Sequence, residues 1–489
     1  MRDTMVLRTG IHLAIAIVFL IGCAVGPNYK RPPVSMPDQF YAEKAAAEAR
    51  SLADLPWWQV FDDPLLVNLI EEALKNGFDA RIAAARVDEA RAIYGISKSQ
   101  FFPQLDYQAG FQRGKQNQIV NPDRQTQSVW SLQGSLSWEL DLWGRIRRLN
   151  ESAKAGFLAT EEAQRGVLLS LVSDIATAYF QLRELDAELE IAKRTVQSFQ
   201  DSYDLFNRRL EGGAASALET SRAEAARETV AAQIPELERA IVANENQINF
   251  LLGRNPQPIV RNKPIPPLPP PIPPGLPSQL LERRPDIREA EQSLVAANAN
   301  VGVAVANFFP TFSLTGLLGN VSTELDNLFK NSGTWSIGAG LVGPLFHGGQ
   351  LKSEYEATKA RWQQVRVQYE ATVTNALGEV STALIDRTKL ANTVEQRTKA
   401  AAAYEEAVRL ANIRYLSGLA SYFEVLEAQQ QLYPAENALA QGKRDQFLAV
   451  VRLYRALGGG WMAEAAGAPM TASHVSTPGE PQPLLKGNP

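Results

Sequence analysis

Two hydrophobic patterns run along this chain, and each occurs twice. The first has period two. Leu105, Tyr107, Ala109 and Phe111 alternate with Asp106, Gln108, Gly110 and Gln112, and Trp130, Leu132, Leu136, Trp138, Leu140 and Leu142 alternate with Ser131, Gln133, Ser135, Ser137, Glu139 and Asp141. The pattern returns as Phe312, Leu314, Gly316 and Leu318 against Thr311, Ser313 and Thr315, then as Trp335, Ile337, Ala339 and Leu341 against Ser336, Gly338 and Gly340. Alternation of this kind predicts strands with one apolar face, over about 104–116, 127–143, 310–320 and 333–343. The second pattern is helical. From Leu168 through Val172, Ile175, Tyr179, Leu182 and onward to Leu210, apolar residues step by four and three, the coiled-coil period. No proline interrupts Gly144 to Leu210 or Leu351 to Leu416, so helices of about 144–211 and 350–417 are expected, each ~100 Å long at 1.5 Å per residue. Return helices follow, to about 252 and 457, after Glu211-Gly212-Gly213-Ala214 and Ser417-Gly418-Leu419-Ala420, whose glycines fit helix stops.

The chain is therefore internally duplicated. Phe101-Phe102-Pro103 returns as Phe308-Phe309-Pro310, Trp130-Ser131-Leu132 as Trp335-Ser336-Ile337, and Arg208-Arg209-Leu210 with Gly212 as Arg414-Tyr415-Leu416 with Gly418, at offsets of 207, 205 and 206 residues. The first copy is expected over 64–260 and the second over 279–460, each led by a helical segment, Pro64 to Ser99 and Arg284 to Asn307, with proline in its first turn. Residues 23–63 read as an extended lead-in. The linker 261–278, with nine prolines between Pro264 and Pro277, reads as a stiff polyproline spacer, and 461–489 has the composition of a disordered tail.

Composition narrows the function. The 489 residues carry 49 basic and 53 acidic side chains, which excludes the basic excess of a general nucleic-acid binder. Catalytic constellations are missing: the histidines are His12, His347 and His474, and Gly338, Gly340 and Gly343 lie in a strand pattern and not in a phosphate loop. Residues 1–22 read as an export signal, with Arg2 and Arg8 before an apolar run from Ile11 to Ile21 too short to span a bilayer. The run ends in Leu20-Ile21-Gly22-Cys23, which resembles a bacterial lipoprotein box. Cys23 is the sole cysteine and the expected lipidation site, and Ala24 in place of Asp after it implies sorting to the outer membrane.

If the four strands lie in a membrane, they cannot close a barrel alone, because an open edge leaves backbone groups unpaired in lipid. Two chains would give eight strands and a filled interior; three or four would leave a lumen. The alternative for the same pattern is a soluble antiparallel sheet with one wet face.

Trp57-Trp58 with Phe61, Asp63 and Pro64, then Arg283-Arg284-Pro285-Asp286-Ile287 with Ala290-Glu291, then Phe308-Phe309-Pro310, resemble the TolC-type outer membrane factors, and within them the OprM-like lipoprotein branch that serves RND-type efflux pumps. The resemblance runs from the signal to about Leu457. It implies an α+β membrane protein with a TolC-like fold: a homotrimer sharing a twelve-stranded β-barrel in outer membrane lipid above a long α-helical barrel. It implies a passive efflux duct, not an enzyme, with no cofactor beyond the lipid on Cys23. The implied partners are a periplasmic adaptor (membrane fusion protein) and an inner-membrane RND-type transporter. It places the periplasmic aperture at Tyr415, Glu424 and Glu427, with Gly418 nearby. Glu stands where the best-known member has Asp, and Ala420 where it has arginine. Adaptor contacts are expected at the tips, at Arg208, Leu210, Gly212 and Ser216 and at Arg414, Leu416, Gly418 and Ser421. Two other readings remain at this stage: a duct of a protein secretion system, and a non-conducting coiled-coil lipoprotein.

Overall fold

A computed structural model describes residues 24–41, 52, 55–61, 63–115, 126–213, 216–261, 267–269, 274–330 and 332–459. Cys23, the signal, parts of the proline-rich linker and the tail fall outside the described residues. The elements in order are α1 (Trp57–Phe61), α2 (Pro64–Asn76), α3 (Phe78–Ser99), β1 (Gln104–Gly114), β2 (Gln127–Leu140), α4 (Arg145–Glu211), α5 (Ala217–Ala231), α6 (Gln233–Leu251), α7 (Leu280–Arg283), α8 (Pro285–Ala306), β3 (Thr311–Ser322), β4 (Gly333–Val342), α9 (Gln350–Leu416) and α10 (Tyr422–Ala456). The two long helices have the same length, 67 residues.

The chain divides into two compact units, each drawing on both sequence copies. One holds the described residues up to Met36 with Ala73–Leu171 and Pro285–Gly378; the other holds Pro37–Glu72, Val172–Arg284 and the described residues from Glu379.

The first unit contains one antiparallel sheet in the order β1-β2-β3-β4. Its register sets Leu105 against Leu136 and Phe111 against Trp130, Leu136 against Gly316 and Trp138 against Leu314, then Leu314 against Ala339 and Leu318 against Trp335. Directly paired residues point to the same side of a sheet. The apolar alternates of all four strands therefore share one face, and Gln108, Ser135, Thr315 and Gly338 lie on the other. The outer edges of β1 and β4 have no strand beside them among the described residues.

The lead-in after Cys23 is a strap and not a loose spacer. Val25 N–H donates to the Trp143 carbonyl at 3.0 Å. The buried Arg148 donates to the carbonyls of Val25 and Gly26 and to Asn28 Oδ1. Asn298 donates to the Pro27 carbonyl, and Arg31 clamps Glu291 with two bonds of 2.6 and 2.7 Å. Gly26, at φ +88°, lies so close to Gly302 that a Cβ on it would sit 2.5 Å from the Gly302 Cα. Trp143 donates from Nε1 to the Pro310 carbonyl and stacks on Phe309 at 4.7 Å, tying the end of β2 to the second Phe-Phe-Pro turn.

In the second unit, Asp63 caps α2. Its Oδ1 accepts from Leu65 N–H at 2.9 Å, and its Oδ2 accepts from the buried Tyr179 hydroxyl at 2.7 Å. Burial, then the Asp63 carboxylate, hold that phenol well above its usual pKa. Phe61, Phe180, Phe447 and Tyr454 form an aromatic run around it. Arg284 of the Arg-Arg-Pro-Asp-Ile motif is buried and donates to Glu379 and to the Ala456 carbonyl, so the motif seats the end of α10.

Two helices expected as single pieces are split. Gly77, at ψ 141°, separates α2 from α3. Ala232 separates α5 from α6, where Pro235 lacks the N–H that would reach the Ala231 carbonyl. Pro434, by contrast, lies inside an unbroken α10.

Candidate functional site

The candidate site lies where the long helices turn back, in the second unit. Helix α9 ends in a Schellman motif: Gly418 has φ +72°, its N–H donates to the Tyr415 carbonyl at 3.0 Å, and Leu419 N–H reaches the Arg414 carbonyl at 2.9 Å. At the first tip the left-handed residue is Gly213, φ +70°, with its N–H on the Leu210 carbonyl at 3.0 Å. The counterpart of Gly418 is thus Gly213, not Gly212: the one-residue shift that the sequence already requires to bring Ser216 and Glu219 onto Ser421 and Glu424 begins at the glycine itself. At the corrected offset of 205, Arg209 stands for Arg414, Leu210 for Tyr415, Ser216 for Ser421 and Glu219 for Glu424.

Both return helices open with Ser-x-x-Glu, and the two glutamates are used differently. Ser216 and Glu219 form a capping box: Ser216 N–H donates to Glu219 Oε2 at 2.8 Å, and Glu219 N–H to Ser216 Oγ at 3.4 Å. Ser421 makes no side-chain cap bond, and Glu424 instead accepts from Arg414 Nε at 3.2 Å. The second-copy carboxylate is therefore free of the helix start and tied across the turn to α9.

Tyr415 is held between Arg209 and Tyr422. Arg209 donates to its hydroxyl and lies 5.0 Å from its ring centre. Tyr415 meets Tyr422 edge-on at 5.4 Å, and Tyr422 meets Phe206 edge-on at 4.3 Å. Tyr422 is buried, its hydroxyl donating to Gln429 Oε1 at 3.2 Å, and Gln429 Nε2 donates to Ser198 Oγ at 2.9 Å. These rings cap an apolar cluster of Phe199, Phe206, Ala223, Ala226, Val425 and Leu426 that joins both helical hairpins. Burial pushes the Tyr422 hydroxyl up to about 12, against the bond with Ser202. Burial also raises that of Tyr415; Arg209 opposes this and Glu219 adds to it. Both phenols are neutral at physiological pH. With Arg209 filling a lone pair, the Tyr415 O–H is left to donate.

The turn thus brings Arg414, Tyr415, Glu424 and Glu427 together at the second tip. Glu424 and Glu427 are both exposed on α10, and Glu427 has no ion pair among the described residues. Leu416, Leu419, Leu218 and Phe423 are exposed at the turns. Arg208 binds back to its own helix, with Nε on the Asp204 carbonyl at 3.2 Å. Its neighbour Arg209, which the sequence matching passed over, makes the contact to the second copy. The Ser-x-x-Glu boxes and Tyr422 were also missed; the first is a readable capping signature. A groove of about 610 Å³ runs beside the cluster, lined by Phe199, Arg222, Val230, Phe423, Leu426 and Tyr433, with Arg222 over the Phe423 ring at 5.5 Å. Among the described residues, no three His, Cys, Asp or Glu side chains of one chain converge as a metal site, and no helix is long and apolar enough to cross a membrane.

The outer membrane efflux protein family model matches residues 69–254 and 276–459. The solvent efflux pump outer membrane protein SrpC of Pseudomonas putida is 36% identical over 456 residues, 91% of this chain and 97% of that protein. The cation efflux system protein CusC of Escherichia coli O6:H1 is 34% identical over 451 residues, 90% of this chain and 96% of that one. Among solved structures, the outer-membrane channel OprN matches with a TM-score of 0.83 at 32% identity, over 90% of this chain and all of that one. The Neisseria gonorrhoeae MtrE channel in its open state matches with a TM-score of 0.79 at 30% identity, over 90% of this chain and 98% of that one. With its helices, its four-stranded sheet and this breadth of similarity, the chain belongs to the outer membrane efflux protein family and has the TolC-like fold of its channels.

Proposed function

We propose that this chain is the outer-membrane exit channel of a tripartite efflux pump: a passive homotrimeric duct, lipid-anchored at Cys23, that opens on docking with a periplasmic adaptor and an inner-membrane RND-type transporter. The observation that carries the reading is the sheet. It has one largely apolar face, polar only toward the loop end at Arg113, Ser128, Asn320 and Ser322, and two strand edges that lipid cannot satisfy, so it needs further copies to complete a barrel. Three copies supply twelve strands and a lumen. The periplasmic aperture is assigned to Tyr415, Glu424 and Glu427, repeated around the axis. Rings of exposed carboxylates favour cations and take up divalent ions. Adaptor contact is assigned to Arg208, Leu210, Gly212, Ser216, Arg414, Leu416, Gly418 and Ser421, beside the exposed apolar turns. Relatives named for solvents and for cations are similarly close, at 36% and 34% identity, so cargo choice is assigned to the pump and not to the duct.

The test is reconstitution of the full-length protein in planar bilayers. Discrete conductance steps, altered by Glu424→Gln with Glu427→Gln, are expected. A purified trimer that never conducts, with or without the adaptor, would count against the duct. Hydrolysis of a substrate is not part of the reading.

A further inference from the structure

The strap begins at the foot of the β2–β3 junction. Val25 N–H donates to the Trp143 carbonyl, and Trp143 Nε1 donates to the Pro310 carbonyl at the foot of β3. Ala24, the first described residue, lies against Gly144, where an added Cβ would sit 2.6 Å from the Ala24 Cα. The residue before Ala24 is Cys23, so a group attached to Cys23 starts within one residue of this foot.

Higher on the same junction, a furrow of about 550 Å³ crosses the apolar face. Its lower rung is Leu105, Leu136, Gly316 and Ile337, and its upper rung is Tyr107, Gly134, Leu318 and Trp335. The floor between them is the backbone of Asp106, Ser135, Leu317 and Ser336, whose side chains alternate to the other face. Gly316 opens the lower rung and Gly134 the upper, one strand apart, so the furrow runs through both. The exposed Leu105, Leu318, Trp335 and Ile337 wall it.

The backbone does not demand these two glycines. Neither has a positive φ. The nearest atoms a Cβ would meet are at 3.5 Å for Gly316, on Leu136, and at 3.7 Å for Gly134, the Leu318 carbonyl, both ordinary contacts. Their twins in the duplication are Ala109 and Ala339, so the same fold carries a side chain at these positions. Glycine weakens a strand interior and often marks a place where something approaches closely.

We propose that the furrow seats an acyl chain carried by Cys23 of the same chain. This rests on the lipid anchor of the proposed function and gives that lipid a place on the protein. The walls are leucine, isoleucine and a tryptophan ring, a surface for a polymethylene chain. Reach agrees. The lower rung is four residues above Leu140, the end of β2, about 13 Å along the strand and about 10 Å in depth at the tilt of barrel strands. The upper rung is about 5 Å deeper. An acyl chain of one leaflet spans half of the ~30 Å hydrocarbon core, about 15 Å, so its terminal part falls in the furrow. Free membrane lipids have the same chains, but the strap pins the tethered one below the furrow, and it enters without a separate lipid being immobilised.

Photocrosslinking in the full-length protein tests this. A fatty acid with a terminal diazirine, fed to the producing cells, enters both Cys23 and the membrane lipids. Membranes are irradiated, and peptides from the monomer band of a denaturing gel are read by mass spectrometry. The expected product joins the N-terminal lipopeptide to peptides holding Gly134 to Leu136 or Gly316 to Leu318. It should be lost in Gly134→Leu with Gly316→Leu. It should be reduced in Gly134→Ala with Gly316→Ala, a milder filling that serves if the leucines hinder assembly. Furrow peptides bearing free phospholipid in place of the lipopeptide overturn the assignment to Cys23 while leaving the anchor intact. Tethered links only elsewhere on the barrel or to a second chain, or links unchanged when the furrow is filled, overturn the furrow as the seat. An intact mass with Cys23 unacylated overturns the anchor reading, and this proposal with it.

Discussion

Removing Arg209 should open the aperture. Its guanidinium ties the first hairpin to Tyr415 of the second, through a hydrogen bond to the hydroxyl and a position 5.0 Å from the ring centre. The site is exposed, so each interaction is discounted: the cation–π contact is worth about 0.5 kcal/mol and the charge-assisted bond about the same. Arg209→Ala then removes about 1 kcal/mol of closed-state stabilisation per chain. If opening separates the two hairpins in all three copies, the sum is about 3 kcal/mol, a shift of roughly 150-fold toward open. Tyr415→Phe keeps the ring on Tyr422 and under Arg209 and loses only the bond, so about 0.5 kcal/mol per chain and roughly a tenfold shift follow. The assay is the open fraction of single channels in planar bilayers, with trimer content checked first. An intact Arg209→Ala trimer whose open fraction stays within about threefold of wild type would refute the reasoning, because so small a shift is incompatible with an Arg209–Tyr415 tie that opening must break in every chain.

Further expectations concern the caps, the strap and the carboxylates. Ser216→Ala should cost about 1 kcal/mol by removing the capping box, and Ser421→Ala only a few tenths, since its hydroxyl bonds nothing at the helix start; hydrogen exchange of the first turns of α5 and α10 measures both. In Gly302→Ala the new Cβ would lie 2.8 Å from Arg148 Nε, a side chain too buried to swing away, so overpacking of about 1–3 kcal/mol should lower the melting temperature. Gly95→Ala, with nothing within 4 Å, should instead raise it slightly, by about 0.5–1 kcal/mol. Glu424→Gln with Glu427→Gln should move the reversal potential in a salt gradient toward that of a non-selective pore and weaken block by divalent cations; an unchanged reversal potential would remove these residues from the aperture.

The sheet was the most legible part of the chain, because period two assigns each residue to a face before any partner is known. Leu105, Leu136, Phe312 and Leu341 could be placed on one side from the sequence alone, and the register later aligned them. The long helices were legible from missing prolines and a coiled-coil step. Three features were not. Pro235 and Pro434 look alike in sequence, yet only the first lies at a break. Two consecutive glycines, Gly212 and Gly213, hide which one takes positive φ; a one-residue shift is readable beyond them, where Glu219 aligns with Glu424 and Arg222 with Glu427, but not before them, where it sets Arg209 against Arg414 and Leu210 against Tyr415. The strap from Val25 to Arg31 reads only as part of an extended, proline- and alanine-rich lead-in, because its partners Arg148, Glu291 and Gly302 lie more than a hundred residues away and leave no local signature.

The two copies are alike where geometry allows no choice and differ where it does. A barrel closed from repeated hairpins needs every strand junction to have compatible register and tilt, so a shift in one copy would have to be answered at each interface. The hairpins accordingly keep the same pairing through offsets of 207 and 205 residues. No such constraint reaches the tips, and there the chemistry has separated. Leu210 stands where the second copy has Tyr415, Arg222 where it has Glu427, and Glu219 is spent on its own helix start while Glu424 reaches Arg414. In a trimer the six tips would alternate between these two kinds. The first copy would then serve as the fixed partner, its return helix capped and its Arg209 presented to Tyr415, and the second would carry the tyrosine, Glu424 tied to Arg414, and the exposed Glu427. A gate built this way needs movement of only every other hairpin, with the Arg209–Tyr415 tie breaking as that hairpin leaves.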